Sequence, residues 1–237
     1  MGQPATSLGD VLRSLIFYLA FYGGTVGYVL VALAALVFGR GPFIAVVHGW
    51  SRFHRSCVSG LLGIRVVVEG TPPSRDALIA LKHESFFEAI DLPTLLHRPA
   101  IIAKAELLRI PLWGRVGGLY GLVPVERDQG AKALRTMLAA ARALVAEGRV
   151  LAIFPEGTRV PHGSEPALQS GFAGLYKLLG LPVTPIAVSS GACYHRRWKR
   201  RGTIVFRVGE QIPAGLPRGE VEERVRAAIN MLNVRPG

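Results

Sequence analysis

A long uncharged apolar segment near the amino terminus places the strongest constraint on how this chain can fold. Residues 15–38 read LIFYLAFYGGTVGYVLVALAALVF, 24 residues without a charged side chain. As an α-helix this segment would be about 36 Å long, enough to cross the hydrocarbon core of a bilayer, which is about 30 Å thick. The segment therefore predicts attachment to a membrane.

The length and the glycines of this segment bear on how it is attached. A secretory signal is disfavoured, because the apolar run is longer than a typical signal core and lacks a small-x-small cleavage site before a polar start. The adjacent Gly23 and Gly24 leave open a pair of half-helices that enters one leaflet and returns. The sequence thus predicts an N-terminal hydrophobic membrane helix or a helical hairpin.

The flanking charges predict on which side of the membrane the rest of the chain lies. Only Arg13 precedes the apolar run, whereas Arg40, Arg52 and Arg55 follow it. Positive charge favours the cytoplasmic side, so we expect the remainder to face the cytoplasm. Residues 42–62 are apolar with basic and aromatic interruptions, which fits an interfacial helix and an amphipathic helix packed on the domain equally well.

The overall composition is apolar and basic. Half of the residues are hydrophobic, and 28 Lys and Arg against 16 Asp and Glu give a net charge of +12. This balance suits an anionic lipid surface, although nucleic-acid binding has the same signature. For the basic run at residues 195–201 (HRRWKRR) we favour contact with a lipid headgroup or an acyl carrier over nucleic acid, with a solvated loop as the alternative.

Beyond residue 63, short apolar runs alternate with helical periods. Strands are predicted at residues 65–70, 77–82, 100–103, 122–125, 150–154, 182–188 and 203–208. Helices are predicted at residues 131–147 and 221–232. This order predicts an α/β fold with a mixed, mostly parallel sheet covered by helices. We therefore expect an anchoring helical segment at residues 1–62 and a catalytic domain at residues 63–237.

The first chemical motif, KHESFFEAID (residues 82–91), follows a predicted buried strand. Residues at the carboxyl ends of parallel strands meet at one edge of a sheet, so His83 is placed where reactive groups collect. On one continuous helix Glu88 would lie about 140° around the axis from His83, so the side chains would diverge. The two can meet only if His83 lies on the turn and Glu88 on the helix that follows. The carboxylate would then orient the imidazole as a general base, with Asp91 as the second choice of partner. A surface His beside chance carboxylates is the alternative.

The second motif, FPEGTR (residues 154–159), also ends an apolar strand. Pro155 and Gly157 predict a tight turn with backbone N–H groups that can face an anion. Arg159 offers a planar fork suited to phosphate. A strand-ending turn with a solvated arginine is the alternative interpretation.

Two further cations follow predicted strands. Arg127 ends the motif YGLVPVERD (residues 120–128), and Lys104 follows the strand AIIA. Both are expected at the sheet edge that carries His83. A structural ion pair of Arg127 with Glu126 or Asp128 remains open.

Together, KHESFFE, GLVPVERD, FPEGTR and LPVTPIAV (residues 181–188) resemble the glycerolipid acyltransferases in order and spacing, and are most similar to the 1-acyl-sn-glycerol-3-phosphate acyltransferases. The resemblance covers residues 66–188 and implies that His83 is the base and Glu88 its orienting carboxylate. It implies that residues 182–188 line the acyl pocket. It also implies that the acceptor and its phosphate are held by Arg127, Glu156, Gly157, Thr158 and Arg159, with Lys104 as an addition to the phosphate site.

The resemblance implies transfer of a fatty acyl group from acyl-CoA or acyl carrier protein to the hydroxyl of a lysophospholipid, most directly 1-acyl-sn-glycerol-3-phosphate. No GxSxG motif is present, so direct transfer is expected, and backbone donors at the start of the helix after His83 are candidates for stabilising the oxyanion. Cys57 and Cys193 have no metal-ligand spacing and are expected to be reduced; no metal or other cofactor is expected.

Two positions depart from the family pattern. Lys82 stands where the family usually has Asn, and Glu88 where it usually has Asp. These departures leave open another acceptor, such as a lyso-ornithine lipid. A lipid-ester hydrolase and a non-catalytic membrane lipid-binding protein are the rival hypotheses.

Overall fold

The structure, a computed structural model, describes residues 6–126 and 130–233 of the chain. Its sheet contains the strands β1 (Ile64–Glu69), β2 (Leu78–Leu81), β3 (Ala100–Lys104), β4 (Leu122–Val125), β5 (Leu151–Ile153), β6 (Val183–Val188) and β7 (Gly202–Val208). The α-helices are α1 (Leu8–Ala35), α2 (Arg40–Gly60), α3 (Phe86–Leu95), α4 (Trp113–Tyr120), α5 (Gly130–Ala146), α6 (Ser170–Leu179) and α7 (Arg218–Ile229). Short 3-10 helices cover Leu36–Phe38 and Ala105–Arg109.

The amino-terminal segment is a hairpin of two antiparallel helices. Gly24 of α1 faces Phe53 of α2 so closely that a Cβ atom there would lie 2.4 Å from the ring. One residue further along α1, the hydroxyl of Thr25 accepts a hydrogen bond of 3.0 Å from Trp50 Nε1. The chain reverses at Gly39, which has a φ of 105°, so residues 15–38 form one arm of a hairpin whose other arm is α2.

The position of the reversal corrects one expectation. Helix α1 continues through Gly23 and Gly24 and does not break into two half-helices there. Gly24 admits the close approach of α2, and the glycine that turns the chain is Gly39. Among the described residues, Leu8–Phe38 is the one helical segment that is long and apolar enough to cross a membrane, judged by length and composition.

The sheet has the strand order β1-β7-β6-β2-β5-β3-β4. Strands β6, β2, β5, β3 and β4 are parallel to one another, whereas β7 is antiparallel to β6 and pairs in parallel with β1. The predicted mixed, mostly parallel α/β sheet is therefore confirmed. The carboxyl ends of the five parallel strands share one edge, which brings the turns after them together.

Helices cover both faces of the sheet. The central strand β2 is therefore buried on both sides, which explains why all of its residues are apolar. Ile79 and Leu81 point into a cluster that includes Phe17 of α1 and Phe87 of α3. Leu78 and Ala80 point to the opposite cluster, which is closed by α5, α6 and α7. Side chains alternate between the faces of a strand, so a central strand covered on both sides is apolar throughout.

The anchoring segment and the catalytic segment are packed together. Residues 61–63, where the sequence predicts the boundary between them, form the connection from α2 to β1. Side chains on both sides of this connection contribute to one hydrophobic cluster. The hairpin is therefore held on the face of the sheet and borders the edge where the motifs lie.

Candidate active site

His83 and Glu88 meet because the chain changes from strand to helix between them. Strand β2 ends at Leu81, and α3 begins after Ser85, whose side chain and that of Glu88 form a capping box. This leaves His83 on the turn, where its Nδ1 lies 3.1 Å from Glu88 Oε1. The carboxylate is fully buried, whereas 15% of the His83 side chain is exposed.

Besides His83, four groups donate hydrogen bonds to the Glu88 carboxylate. The Oε1 atom accepts from Ser85 N at 2.6 Å and from Glu84 N, and Oε2 accepts from the hydroxyls of Ser85 at 2.9 Å and Ser190 at 2.7 Å. Burial raises the pKa of Glu88, but the hydrogen bonds from His83, Ser85 and Ser190 outweigh it and hold the pKa below its ordinary value. An ionised Glu88 accepts the Nδ1 proton, which leaves Nε2 of His83 for a substrate.

Ser190 is a member of this network that sequence reasoning missed. It lies in the loop after β6, and its hydroxyl also lies 2.8 Å from that of Ser85. Strand β6 pairs in parallel with β2, so the residues that follow the two strands are neighbours at the same edge. The available signal was a pair of serines, Ser189 and Ser190, after the apolar run that ends at Val188.

Three backbone amides around the start of α3 are already engaged within the turn, so the predicted oxyanion donors are not among these three. Glu84 N and Ser85 N donate to Glu88, and Phe87 N donates to Ser85 Oγ at 3.1 Å. The capping box uses these donors to order the turn that carries His83.

The alternative partner, Asp91, is engaged elsewhere. Arg55 Nε of α2 donates to Asp91 Oδ1 at 2.8 Å, and a second guanidinium nitrogen contacts Oδ2. Asp91 is fully buried within α3 and joins that helix to the hairpin. The structure therefore assigns the imidazole to Glu88.

The resemblance implies that Glu156 faces the acceptor. In the structure it lies instead behind the turn that carries His83. Its Oε2 accepts from His83 N at 3.0 Å, and its Oε1 lies 2.7 Å from Lys82 Nζ. Lys82 is fully buried, and its ammonium also donates to the carbonyl of Ser164 and the side chain of Asn230, each at 2.6 Å. Glu156 is 2% exposed, so it positions the turn and does not contact a lipid headgroup.

The rest of the FPEGTR turn faces the cleft beside His83. Gly157 has a φ of 72°, and its N–H donates to Phe154 O at 2.9 Å, which closes the predicted tight turn. The Phe154 ring stacks on the imidazole with 4.0 Å between centroids. Arg159 is exposed, with its guanidinium carbon 3.9 Å from the centroid of the Phe86 ring. Thr158 is also exposed at this edge.

Two predicted cations have different outcomes. Lys104 is the exposed last residue of β3 and borders the same cleft as His83. Arg127 lies outside the described residues, so its part in the site stays a prediction.

The cleft has a volume of about 1600 Å³ and joins a polar end to a long apolar interior. Its polar end contains His83, Lys104 and Arg159. Its apolar walls come from the hairpin and from α4, and include Phe21, Val29, Val47, Trp50, Val116 and Tyr120. Residues 182–188, implied as the lining of the acyl pocket, are not among the lining side chains, because every residue of β6 is buried in the core of the sheet.

A second imidazole–carboxylate pair, also missed from the sequence, lies beside the first. His162 Nδ1 is 2.8 Å from Glu84 Oε1, and Glu84 Oε2 accepts from Gly191 N at 2.7 Å. The hydrogen bond with Glu84 raises the pKa of His162 above its ordinary value. This pair ties together the loops that follow β2, β5 and β6.

Comparisons with known proteins agree with this arrangement. A family model described as Acyltransferase matches residues 63–189. The 1-acyl-sn-glycerol-3-phosphate acyltransferase of Pseudomonas aeruginosa is 30% identical over 214 residues, which are 86% of this chain and 82% of that protein. The human 1-acyl-sn-glycerol-3-phosphate acyltransferase alpha is 28% identical over 191 residues, 79% of this chain and 67% of the relative.

The fold has a match among solved structures. The crystal structure of the 1-acyl-sn-glycerophosphate (LPA) acyltransferase PlsC from Thermotoga maritima superposes with a TM-score of 0.74 at 22% identity, covering 96% of this chain and 99% of that one. At this identity the match supports the fold, while the family model spans more than half of the chain and includes the KHESFFE, GLVPVERD and FPEGTR motifs. The chain therefore belongs to the acyltransferase family.

Proposed function

We propose that this chain transfers a fatty acyl group from acyl-CoA or acyl carrier protein to the free hydroxyl of 1-acyl-sn-glycerol-3-phosphate, giving phosphatidic acid for phospholipid biosynthesis. The observation that carries the proposal is the contact of 3.1 Å between His83 Nδ1 and Glu88 Oε1 at the polar end of a large apolar cleft. An acyl chain suits the interior of this cleft, and a phosphate suits its cationic rim.

The chemistry follows from the orientation of the imidazole. With Nδ1 donating to Glu88, His83 Nε2 removes the proton of the acceptor hydroxyl as that oxygen bonds to the thioester carbonyl carbon. Glu88 stabilises the imidazolium that forms. When the carbon–sulfur bond breaks, the imidazolium returns its proton to the thiolate, so the products are the new ester and the free thiol carrier.

Lys104 and Arg159 are proposed to hold the phosphate of the acceptor. Both are exposed at the cleft: Lys104 is the last residue of β3, and Arg159 lies in the loop after β5. Arg159 is stacked on Phe86, which restrains its guanidinium plane and favours a bidentate grip on phosphate. The arrangement explains how a phosphate can fix the position of a hydroxyl relative to the base.

We also propose that the hairpin attaches the protein to the membrane, with the catalytic edge facing the cytoplasm. Apolar side chains are exposed along α1 and at its tip, including Leu12, Leu19, Val26, Leu30, Val37 and Phe38. The amino-terminal end of α1 and the carboxyl-terminal end of α2 both pack on the catalytic segment. A hairpin held in this way enters a leaflet from one side, with Val37 and Phe38 deepest.

The proposal is tested by offering purified protein a mixture of lysolipids with labelled acyl-CoA or acyl carrier protein, and identifying the products by mass spectrometry. We expect acylated lysophosphatidate as the main product, and His83→Ala should lower its rate by about 10²- to 10⁴-fold. His97→Ala, an exposed histidine on the surface, is the matched control. Release of free fatty acid without an acylated acceptor would indicate a hydrolase, and acylation of another lysolipid alone would overturn the proposed acceptor.

A further inference from the structure

The loop between β6 and β7, residues 189–201, brings a second group of cations to the cleft. His195, Arg196, Arg197 and Lys199 of this basic loop border the same cavity as His83. Strand β6 lies on one side of β2, and β5 and β3 lie on the other. Because neighbouring strands are about 4.8 Å apart, the loops after them are laid out in the same order. The turn of His83 thus follows a strand that lies between β6, which leads into the basic loop, and β5 and β3, which lead to Arg159 and Lys104.

Lys199 fixes the shape of the basic loop from within. Its buried ammonium donates to the carbonyls of Tyr194 at 2.7 Å and Arg196 at 2.9 Å, and its backbone N–H donates to Ser14 Oγ of α1 at 2.8 Å. The hydroxyl of Tyr18, one turn further along α1, donates to the carbonyl of Arg197. The loop is therefore docked on the hairpin, and Lys199 is committed to its structure.

Arg196 and Arg197 differ from Lys199 because their charged groups can bind a ligand in the cleft. Within residues 6–126 and 130–233, the structure gives neither guanidinium an acidic partner. Arg197 is exposed and Arg196 is half-buried. His195 precedes them in the loop, and burial together with the charge of Arg159 lowers its pKa.

We infer that Arg196 and Arg197 bind the phosphate groups of the acyl donor, a phosphopantetheine-bearing thioester, while the other side of the cleft takes the phosphate of the acceptor. The inference rests on the proposed acyl transfer. That reaction brings two anionic substrates into one cleft, and their reacting atoms must meet at His83. Two cationic groups at the same cleft, one on the basic loop and one in the segments after β3 and β5, meet the requirement, since each can hold the phosphate of one substrate.

A donor without phosphate provides the test. Kinetics are measured for the Arg196→Gln/Arg197→Gln variant with acyl-CoA and with the same acyl chain on N-acetylcysteamine, which carries the thioester but no phosphate. We expect kcat/KM for acyl-CoA to fall by about tenfold or more, because charge-assisted hydrogen bonds are lost. For the N-acetylcysteamine thioester the change should stay within about twofold. The KM for the acceptor should not change.

The control is Arg201→Gln, in the same loop but not at the cleft, which should leave both donors unaffected. Arg197→Gln alone is a second variant, expected to fold because its side chain is exposed. Equal losses with both donors, a raised KM for the acceptor, or losses that track weaker binding to anionic vesicles would each overturn the inference. Absence of acyl transfer by the unaltered protein from acyl-CoA, from acyl carrier protein and from the N-acetylcysteamine thioester would instead refute the proposed function.

Discussion

Lys82 Nζ lies 2.7 Å from Glu156 Oε1, and both side chains are completely buried behind the turn that carries His83. The other oxygen of Glu156 receives the backbone N–H of His83, and Lys82 reaches Asn230 at the end of α7. A buried ammonium is tolerated here because each of its three donors has an acceptor. The pair therefore links the position of the catalytic base to the carboxyl-terminal helix.

Replacing Lys82 should destabilise the protein and slow catalysis together. In Lys82→Met the Glu156 carboxylate keeps its charge but loses its buried partner, which costs about 3–5 kcal/mol of unfolding free energy. The double variant Lys82→Met/Glu156→Gln should recover part of this loss, because the side-chain amide at position 156 is neutral and leaves no buried charge without a partner. Chemical denaturation in detergent gives the free energies, and Lys177→Met on the exposed face of α6 is the control. A single variant as stable as the unaltered protein would contradict the role of the pair.

For kcat, the negative charge of Glu88 is expected to matter more than the length of its side chain. Glu88→Gln keeps the size of the side chain but cannot stabilise the imidazolium, so kcat should fall by about 10²- to 10⁴-fold. Glu88→Asp, the residue usual in the family, keeps the charge and should lose less. Steady-state kinetics on both variants make the comparison; an equal loss in the two would show that geometry, not charge, is limiting.

Ser190 is expected to act through Glu88. Removing its hydroxyl with Ser190→Ala takes away one hydrogen bond to the buried carboxylate, worth about 1.5–3 kcal/mol for a charged acceptor. We expect lower kcat with little change in either KM. Ser189→Ala, one residue earlier and outside the Glu88 network, is the matched control. A raised KM with normal kcat would point to substrate binding instead.

Because the pKa of Glu88 is lowered in the folded protein, its contribution to the free energy of unfolding should decrease as the pH falls. Because its folded-state pKa lies below the ordinary value of 4.5, its contribution to stability is complete above about that pH. It is lost as the pH falls through the folded-state pKa. The difference in unfolding free energy between the unaltered protein and Glu88→Gln should therefore shrink with acidification; a difference that grows would reverse the assigned shift.

His162 should give the opposite dependence at higher pH. Its pKa is raised by Glu84, so the stabilisation is present below its ordinary pKa of 6.5 and is lost as the pH rises through the folded-state value. Denaturation curves from about pH 5 to about pH 9 should show this loss in the unaltered protein and a flatter profile in His162→Gln. The exposed His97→Gln should keep the original profile.

The sequence by itself determined the strands, most of the helices and the identity of the candidate catalytic residues. All seven predicted strands are present within one or two residues of their predicted ends, and the two predicted helices are found as α5 and α7, the latter starting three residues earlier than predicted. Helices α4 and α6 were not predicted. Hydrophobic periodicity and turn residues are local properties, so they can be read along the chain. The same local reading showed that His83 and Glu88 can meet only if His83 lies on the turn and Glu88 on the helix after it.

Only the tertiary structure decided which neighbours these residues have. It paired Asp91 with Arg55, turned Glu156 inward to Lys82, brought Ser190 to Glu88, and buried residues 182–188 away from the cleft. It also made β7 antiparallel to β6, and it folded the apolar segment back along α2. Each of these outcomes depends on contacts between residues far apart in sequence, whose geometry is set by how the layers pack and which buried polar groups must be satisfied.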